Sequence, residues 1–350
     1  MTVSESQSES LPRRCWNWIR RHAQVQVILP TLVAFGLIAY VSDIASAPKS
    51  GGELWQIVRS TWWLVLLLTI PYLAIRAFIW RDLLKELEIE IPWRPLLASF
   101  VGGEITKSLP AGIYVENYLL ARVSHFRQHS TARSSTATTA TLGLEALIAV
   151  PLLLIIGLPG QTWLFWTVVG LVCAWLLLLG LAWLFIQYQA RHATPRTPKW
   201  RRSIDGFLKD FLEAGGELIR WRTALLVIPT ALYLLVYVVD LYAVTRAAGV
   251  HAVSFVDATS IYAFVLLTVI LIPIPTELGL TEFSGLAALL AFHVDRPTAA
   301  IIMLGLRVLA TGMTILVAGV ILLVLHGEFS QPEAVVAEDR RAPGTAVSPP

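Results

Sequence analysis

Ionisable residues lie inside segments that are otherwise apolar enough for a membrane, and these residues are the best candidates for chemistry. There are eight of them: Glu104, Lys107, Glu116, Glu145, Asp240, Glu277, Glu282 and Arg307. A charge at the bilayer centre costs about 2.5–3.5 kcal/mol on insertion scales, so eight unrelieved charges would cost on the order of 20 kcal/mol. That exceeds a typical folding free energy. These side chains must therefore contact each other, a polar cavity or a ligand.

The composition is that of a membrane protein. The 350 residues are 56% hydrophobic and 15% charged, whereas soluble domains carry about 25% charged residues. Apolar runs such as 61–80 and 162–188 are long enough to cross a hydrocarbon core of about 30 Å as helices. Tryptophans near the ends of such runs, for example Trp62, Trp80 and Trp163, are typical of interfacial aromatic belts. We predict an all-α, multi-pass integral membrane protein.

The apolar runs predict six full spans, at 24–41, 61–80, 136–158, 162–188, 223–246 and 298–325. Two further regions, 96–121 and 257–293, are apolar but interrupted by Gly, Pro and charges. We interpret each as a re-entrant helical hairpin, because irregular backbone at membrane depth must be buried in protein or line a cavity. The second region could instead be two short spans. The prediction is about eight membrane segments.

Lys and Arg set the predicted orientation. They are concentrated before the first span, after the second, after the first hairpin and in 189–222, and are sparse in the alternate loops. The positive-inside rule puts all the rich segments in the cytoplasm if both interrupted regions are hairpins, and both termini are then cytoplasmic; two short spans in the second region would give the same parity. The linker 189–222 divides the membrane region into 23–188 and 223–326. The order span, span, hairpin, span comes first, and the same order follows, inverted, with 162–188 as its first span. This is an inverted-topology repeat typical of transporters; chance similarity within a six-span bundle is the alternative.

The segments outside the two repeats are hydrophilic. Residues 189–222 form the longest such stretch, and its apolar residues recur at helical spacing: Ile204, Phe207, Leu208, Phe211 and Leu212. This predicts an amphipathic helix on the cytoplasmic surface, which either binds anionic lipid or only connects the repeats. Residues 1–22, which are basic, and 327–350 are predicted to be disordered tails.

The first hairpin carries a candidate anion site. Gly and Pro residues near its tip, in Lys107-Ser108-Leu109-Pro110-Ala111-Gly112, interrupt the helix. The returning half-helix would offer free backbone N–H groups and a positive dipole end, and Lys107 adds a full charge. Together they suit an anion such as a lipid phosphate. Alternatively, Lys107 pairs with Glu104 or Glu116 and only stabilises the hairpin.

The second hairpin carries two acids. Arg307, the charge of the last span, is the natural partner of Glu282, and that pair could be purely structural. Glu277, at the tip beside Gly279, is the candidate for contact with a cationic head group or a proton.

Glu145 and Asp240 are single acids in the middle of spans of the two halves. Each either lines a central cavity, is protonated and hydrogen-bonded to a neighbouring Thr, or pairs with Arg76 or Lys107. Arg76 itself lies near a predicted span end, where a long cationic side chain is expected to snorkel to the interface.

No established catalytic or metal-binding motif is evident. The sequence contains no His-Glu-x-x-His, Gly-x-Ser-x-Gly, P-loop or Asp-rich prenyl-diphosphate motif, and its histidines lie in loops or at span ends. We therefore expect no metal, no cofactor, no nucleic-acid partner and no enzymatic activity.

The two hairpins resemble the transmembrane, flippase-like region of lysylphosphatidylglycerol synthases. Leu109-Pro110-Ala111 and Glu116 match a Leu-Pro-Ala-Arg…Gly-Glu segment of that family, with Gly112 near the position of its Arg. Glu145 matches the Glu of a Glu-Arg pair in the next span, although Ala146 replaces the Arg.

The second half carries the rest of the resemblance. The segment 273–282 keeps two prolines, Gly279 and Glu282 of a Pro-x-Pro-Gly-Gly-x-Gly-x-x-Glu pattern, but has Thr276-Glu277 in place of the Gly pair. Arg307 matches an Arg typical of the final span. The similarity extends over about 20–325 and implies a stand-alone member of the family that lacks the soluble synthase domain.

The resemblance implies a protein of the cell membrane that binds a phospholipid or lipid-linked head group, anionic or zwitterionic, and translocates it between leaflets. A second copy or a partner enzyme is a further candidate partner. The first alternative is an integral-membrane enzyme acting on lipid head groups, with Glu277 or Asp240 as base. The second is a non-transporting subunit that presents lipid to another enzyme.

Overall fold

The structure, a computed structural model, describes residues 50–107, 112–124, 128–157, 199–272 and 279–325, together with isolated positions between 39 and 184. Every regular element in these ranges is helical. The ten α-helices are α1 (Ser50–Glu86), α2 (Trp93–Thr106), α3 (Val115–Ser124), α4 (Gln128–Ile156), α5 (Lys199–Leu218), α6 (Trp221–Leu225), α7 (Val227–Ala247), α8 (Phe255–Leu271), α9 (Leu280–Ala291) and α10 (Arg296–Val324). A single 3-10 turn, Gly112–Tyr114, precedes α3.

Four helical stretches in the described ranges are long and apolar enough to cross a membrane: Gly52–Glu86, Thr131–Ile156, Trp221–Ala247 and Arg296–Val324. They coincide with four of the six predicted spans. The other two, 24–41 and 162–188, fall outside the described residues apart from isolated positions, as do the tails 1–22 and 327–350.

Helix α1 is much longer than the predicted span at 61–80. Its 37 residues extend about 55 Å at 1.5 Å per residue. The hydroxyls of Thr61 and Thr69 donate to the carbonyls of Ile57 and Val65, each at 2.7 Å, so these polar groups are satisfied within an apolar helix. The helix continues through Pro71 to Glu86, and residues near 76 therefore lie in its interior.

A glycine pair lets α2 and α3 pack at very short range. A Cβ atom on Gly103 would lie 2.6 Å from Cβ and 3.0 Å from the backbone N of Glu116, and one on Gly102 would lie 2.5 Å from Leu119 Cδ1. The contacts run in opposite directions along the two helices, which makes the pair antiparallel. An antiparallel pair of helices is compatible with the hairpin predicted over 96–121; its re-entry into the membrane and the side from which it enters stay predictions.

Helices α8 and α9 form the second pair of packed short helices. Their 17 and 12 residues are fewer than the roughly 20 that a full span needs. Helix α8 begins with a capping box between Ser254 and Asp257, and α9 begins after Gly279, whose φ of 79° favours glycine. The connecting residues 273–278 lie outside the described ranges. The structure therefore shows two packed helices within 257–293, and the hairpin itself stays a prediction.

Helices of the two predicted repeats pack on each other across the molecule. Helix α1 packs against α7 and α10, α2 against α10, and α4 against α7 and α8. One buried apolar cluster includes Ile57, Leu241 and Leu306, and a second includes Trp80 and Phe100. The core is therefore shared between the halves.

Helix α5 (Lys199–Leu218) lies within the segment 189–222, where the sequence predicts an amphipathic helix. Its Ala214 and Leu218 are buried. The Thr136 hydroxyl of α4 donates to the carbonyl of Phe211 at 3.2 Å, and Arg133 forms an ion pair with Glu217. One face of the helix thus packs on protein, as a connecting helix would.

We predict that Gly103→Ala destabilises the protein by about 1–3 kcal/mol, the usual cost of overpacking, because the new methyl group meets the backbone of Glu116. The measurement is thermal unfolding of the purified protein in detergent. Gly312→Ala in α10 is the matched control, since nothing lies within 4 Å of its Cβ position, and it should leave the melting temperature equal or higher. Equal melting temperatures for the two variants would contradict this packing.

Candidate functional site

A cavity of about 130 Å³ lies between α2, α4, α7, α8, α9 and α10. It has room for several water molecules or a small polar group. Its apolar wall includes Leu142, Leu241 and Leu306, and its polar lining consists of Glu104, Lys107, Glu145, Tyr233, Tyr237, Tyr262, Thr281, Arg307, Thr311 and Thr314. Both predicted repeats contribute to it.

A buried arginine stabilises the first carboxylate of this cavity. Arg76 of α1 is 5% exposed. Its Nη1 donates to Glu104 Oε1, and to Tyr72 Oη at 2.9 Å. The Tyr72 hydroxyl donates to Glu104 Oε2 at 2.8 Å. Both oxygens of the Glu104 carboxylate are therefore hydrogen-bonded.

The same arginine reaches a second carboxylate. Arg76 Nη2 lies 3.9 Å from Glu145 Oε1, an oxygen that also accepts a hydrogen bond from the Tyr233 hydroxyl. One cation thus connects α1, α2, α4 and α7. Removing a buried cation from such a group leaves an uncompensated charge, which is strongly destabilising.

Four tyrosines form a layer beside this network. The ring centroids of Tyr72 lie 5.9 Å from Tyr233 and 5.1 Å from Tyr237, both edge-on, and Tyr237 stacks on Tyr262 at 5.4 Å. Such offset and edge-to-face contacts favour fixed ring positions. Three of these rings line the cavity, so this part of its wall is aromatic with polar edges.

The expectation that Arg76 snorkels is wrong, because α1 continues for ten residues beyond it and keeps it in the helix interior. Of the alternatives for Glu145, the structure shows the approach to Arg76. The signal in the sequence was electrostatic: two intramembrane acids, Glu104 and Glu145, require a cation. Only the tertiary structure identifies that cation as Arg76.

Some of the candidate residues of the first hairpin line the cavity and others lie outside its lining. Glu104 and Lys107 line the cavity. Glu116 is buried outside its lining, and its Oε1 accepts a hydrogen bond from Thr138 at 2.6 Å. Gly112 packs on the Thr106 carbonyl, where a Cβ atom would lie only 1.7 Å from the oxygen. Pro110 is outside the described residues.

The predicted pair of Glu282 and Arg307 is present. The Glu282 side chain is 1% exposed, and its Oε1 accepts from Arg307 Nε. Its Oε2 accepts the backbone N–H of Gly279 at 2.7 Å. Arg307 lines the cavity while Glu282 lies behind it, so the carboxylate fixes the arginine to the first turn of α9. Glu277 is outside the described residues.

The two mid-span acids differ in their positions. Glu145 lines the cavity, whereas Asp240 is absent from its lining. Asp240 is 3% exposed, and its Oδ1 has no hydrogen-bond partner among the described residues. Within the same part of the chain, no three His, Cys, Asp or Glu side chains are grouped as ligands for a metal ion.

Apolar helices long enough to cross a membrane, packed around a cavity that charged side chains line, define a multi-pass helical membrane protein. The model of the family described as lysylphosphatidylglycerol synthase TM region matches residues 27–318. The chain belongs to this family, which is consistent with a lipid-related function in the membrane. Comparison with curated proteins and with solved structures gave no match.

We predict that Arg76→Met destabilises the protein by about 3–5 kcal/mol, because Glu104 is left as a buried charge without its cation. Adding Glu104→Gln should restore at least half of the loss, since the neutral amide can still accept from Tyr72. Thermal unfolding of the single and double variants measures both effects.

Arg246→Met is the matched control. Arg246 is partly exposed, lies over the Tyr242 ring and donates to the His251 carbonyl at 2.9 Å, so its loss should cost about 1 kcal/mol at most. If Glu104→Gln does not restore stability to Arg76→Met, the charge-compensation argument is wrong.

Proposed function

We propose that the protein binds a phospholipid or lipid-linked head group in the central cavity and translocates it between the leaflets of the plasma membrane. The observation that carries the proposal is that Lys107 and Arg307, one cation from each predicted repeat, line the same cavity. Phosphate oxygens are strong acceptors for charge-assisted hydrogen bonds from both side chains. Membership of the family supports a lipid as the ligand.

The carboxylates of the cavity suit a second, polar or cationic part of the head group. Glu104 and Glu145 share the lining with the two cations, and Arg76 with its tyrosines holds them in place. A head group with a phosphate and an amine would thus meet both signs of charge at membrane depth, where such contacts are stronger than in water.

The arrangement of the helix pairs supports translocation. Lys107 follows α2 of one pair, Thr281 belongs to α9 of the other, and both residues line the cavity. If the two pairs enter from opposite sides, as the charge bias predicts, the cavity lies where access alternates between leaflets. Both termini would then be cytoplasmic. We propose transport without chemical conversion of the lipid.

Glu282 has a positioning role in this proposal. It ties the Arg307 guanidinium to the amide of Gly279. Movement of α9 would therefore move a cation of the binding site, which links the second helix pair to the head group.

We predict that Lys107→Gln slows leaflet exchange of a labelled phospholipid in liposomes about tenfold or more, the effect of losing one charge-assisted hydrogen bond. Glu282→Gln should slow it as well, by releasing Arg307. Lys209→Gln is the control, because this α5 side chain is 71% exposed, and it should exchange at the wild-type rate. Equal rates for all four proteins would rule out the assigned roles.

Mass spectrometry of lipid retained through purification identifies the head group and separates the alternatives. Turnover of that lipid by the purified chain would favour an enzyme over a transporter. A stoichiometric partner that co-purifies, with no exchange by the chain alone, would indicate a lipid-presenting subunit.

A further inference from the structure

Asp240 differs from the other buried acids of the described chain. Glu104 and Glu145 accept from Arg76 or a tyrosine, Glu116 accepts from Thr138, and Glu282 accepts from Arg307 and Gly279. Asp240 is buried to a similar degree, yet its Oδ1 has no hydrogen-bond partner among the described residues. Asp240 also forms no ion pair within 4.0 Å with any residue that the structure describes.

Contacts on either side of Asp240 give the register of α7 with the helices packed against it. Stacking of Tyr237 on Tyr262 and contact of Tyr242 with Phe255 set the register with α8 and bring Asp240 level with Ala258, which is fully buried. On α1, the contacts of Tyr72 with Tyr237 and of Ile57 and Val244 with the Gly305 position bracket Asp240 opposite Thr61, Val65 and Thr69.

The polar groups near this level are already bound elsewhere. The hydroxyls of Thr61 and Thr69 donate to carbonyls of their own helix. The charged groups of the packing helices have partners of their own: Arg76 of α1 with Glu104, Glu145 of α4 with Tyr233, Asp257 of α8 with Ser254, and Arg307 of α10 with Glu282.

An ionised carboxylate in this position would be desolvated without a counter-ion or a full set of donors. Buried acids in that situation take up a proton instead. A neutral Asp240 fits the conformation described, and loss of its proton would favour a conformation in which position 240 reaches water.

The same helix forms a wall of the cavity. Tyr233, Tyr237 and Leu241 of α7 line it, although Asp240 does not. A conformation that hydrates Asp240 by moving α7 would also reshape the cavity. Proton binding and head-group binding would then both shift the equilibrium between the two positions of α7. Two sites that shift the same equilibrium are coupled.

We propose that Asp240 is a proton-binding site whose protonation is coupled to the movement of the cavity wall, so that a proton gradient drives or regulates the activity of the cavity. The step is a reversible exchange of one proton between the carboxylic acid and water, with no other reactant. Only the coupling to lipid rests on the proposed function; the proton site stands on the burial of Asp240.

Infrared spectroscopy of the full-length protein in liposomes at neutral pH tests the proton site directly. Wild type should show the C=O stretch of a protonated carboxylic acid, and Asp240→Asn should lose that band. The matched control is Asp257→Asn, the same substitution at a partly exposed helix cap, which should retain it. A wild-type spectrum without the band, or a band unchanged in Asp240→Asn, overturns the site whatever the lipid assay shows.

The same liposomes with an imposed pH gradient test the coupling. The gradient should change the wild-type lipid-exchange rate at least about fivefold, the lower end of typical coupling factors, and should not affect Asp240→Asn. A wild-type rate that ignores the gradient refutes the coupling and leaves the proposed function intact. No exchange in any sample contradicts the proposed function, and the infrared band then decides the proton site alone.

Discussion

The ion pair between Arg76 and Glu104 is the interaction on which the interior of this protein depends. In a hydrocarbon environment neither charge can be left alone. Tyr72 is hydrogen-bonded to both partners, and Arg76 also approaches Glu145, which accepts a hydrogen bond from Tyr233. Four helices are thereby connected at one point, and the cavity lies beside that point. Charge compensation thus selects the arrangement of helices, while the apolar surfaces supply its stability.

In the second half of the chain, buried charges are compensated by an ion pair together with a backbone hydrogen bond. Glu282 neutralises Arg307 and also accepts the amide of Gly279, so a backbone group at the start of α9 belongs to the charge network. In the first half the carboxylate is held by side chains alone. The cavity is thus bounded by one ion pair held by side chains and by another attached to the first turn of a helix.

Much of the site was accessible from sequence because intramembrane charges are few. Glu104, Lys107, Glu145 and Arg307 were selected as candidates, and all four line the cavity. Arg76 was misassigned because hydropathy ended its span near residue 80, whereas the helix continues to Glu86. Helix length beyond the apolar run is decided by packing against neighbouring helices, which a hydropathy pattern does not contain. The sequence shows Asp240 as an acid within an apolar span. Only the structure shows that its Oδ1 has no hydrogen-bond partner among the described residues.

The sequence by itself determined the class of protein, its family, the interrupted segments and the set of charges that needed compensation. These depend on composition and on local spacing, since an apolar run of about 20 residues spans a bilayer wherever it occurs. The tertiary structure decided which charges meet. Tyr233 and Glu145 are 88 residues apart, and Arg76 and Glu104 are 28 apart. Contacts at such separations follow from how whole helices pack, because compensation requires a partner within a few ångströms and sequence spacing does not specify which one.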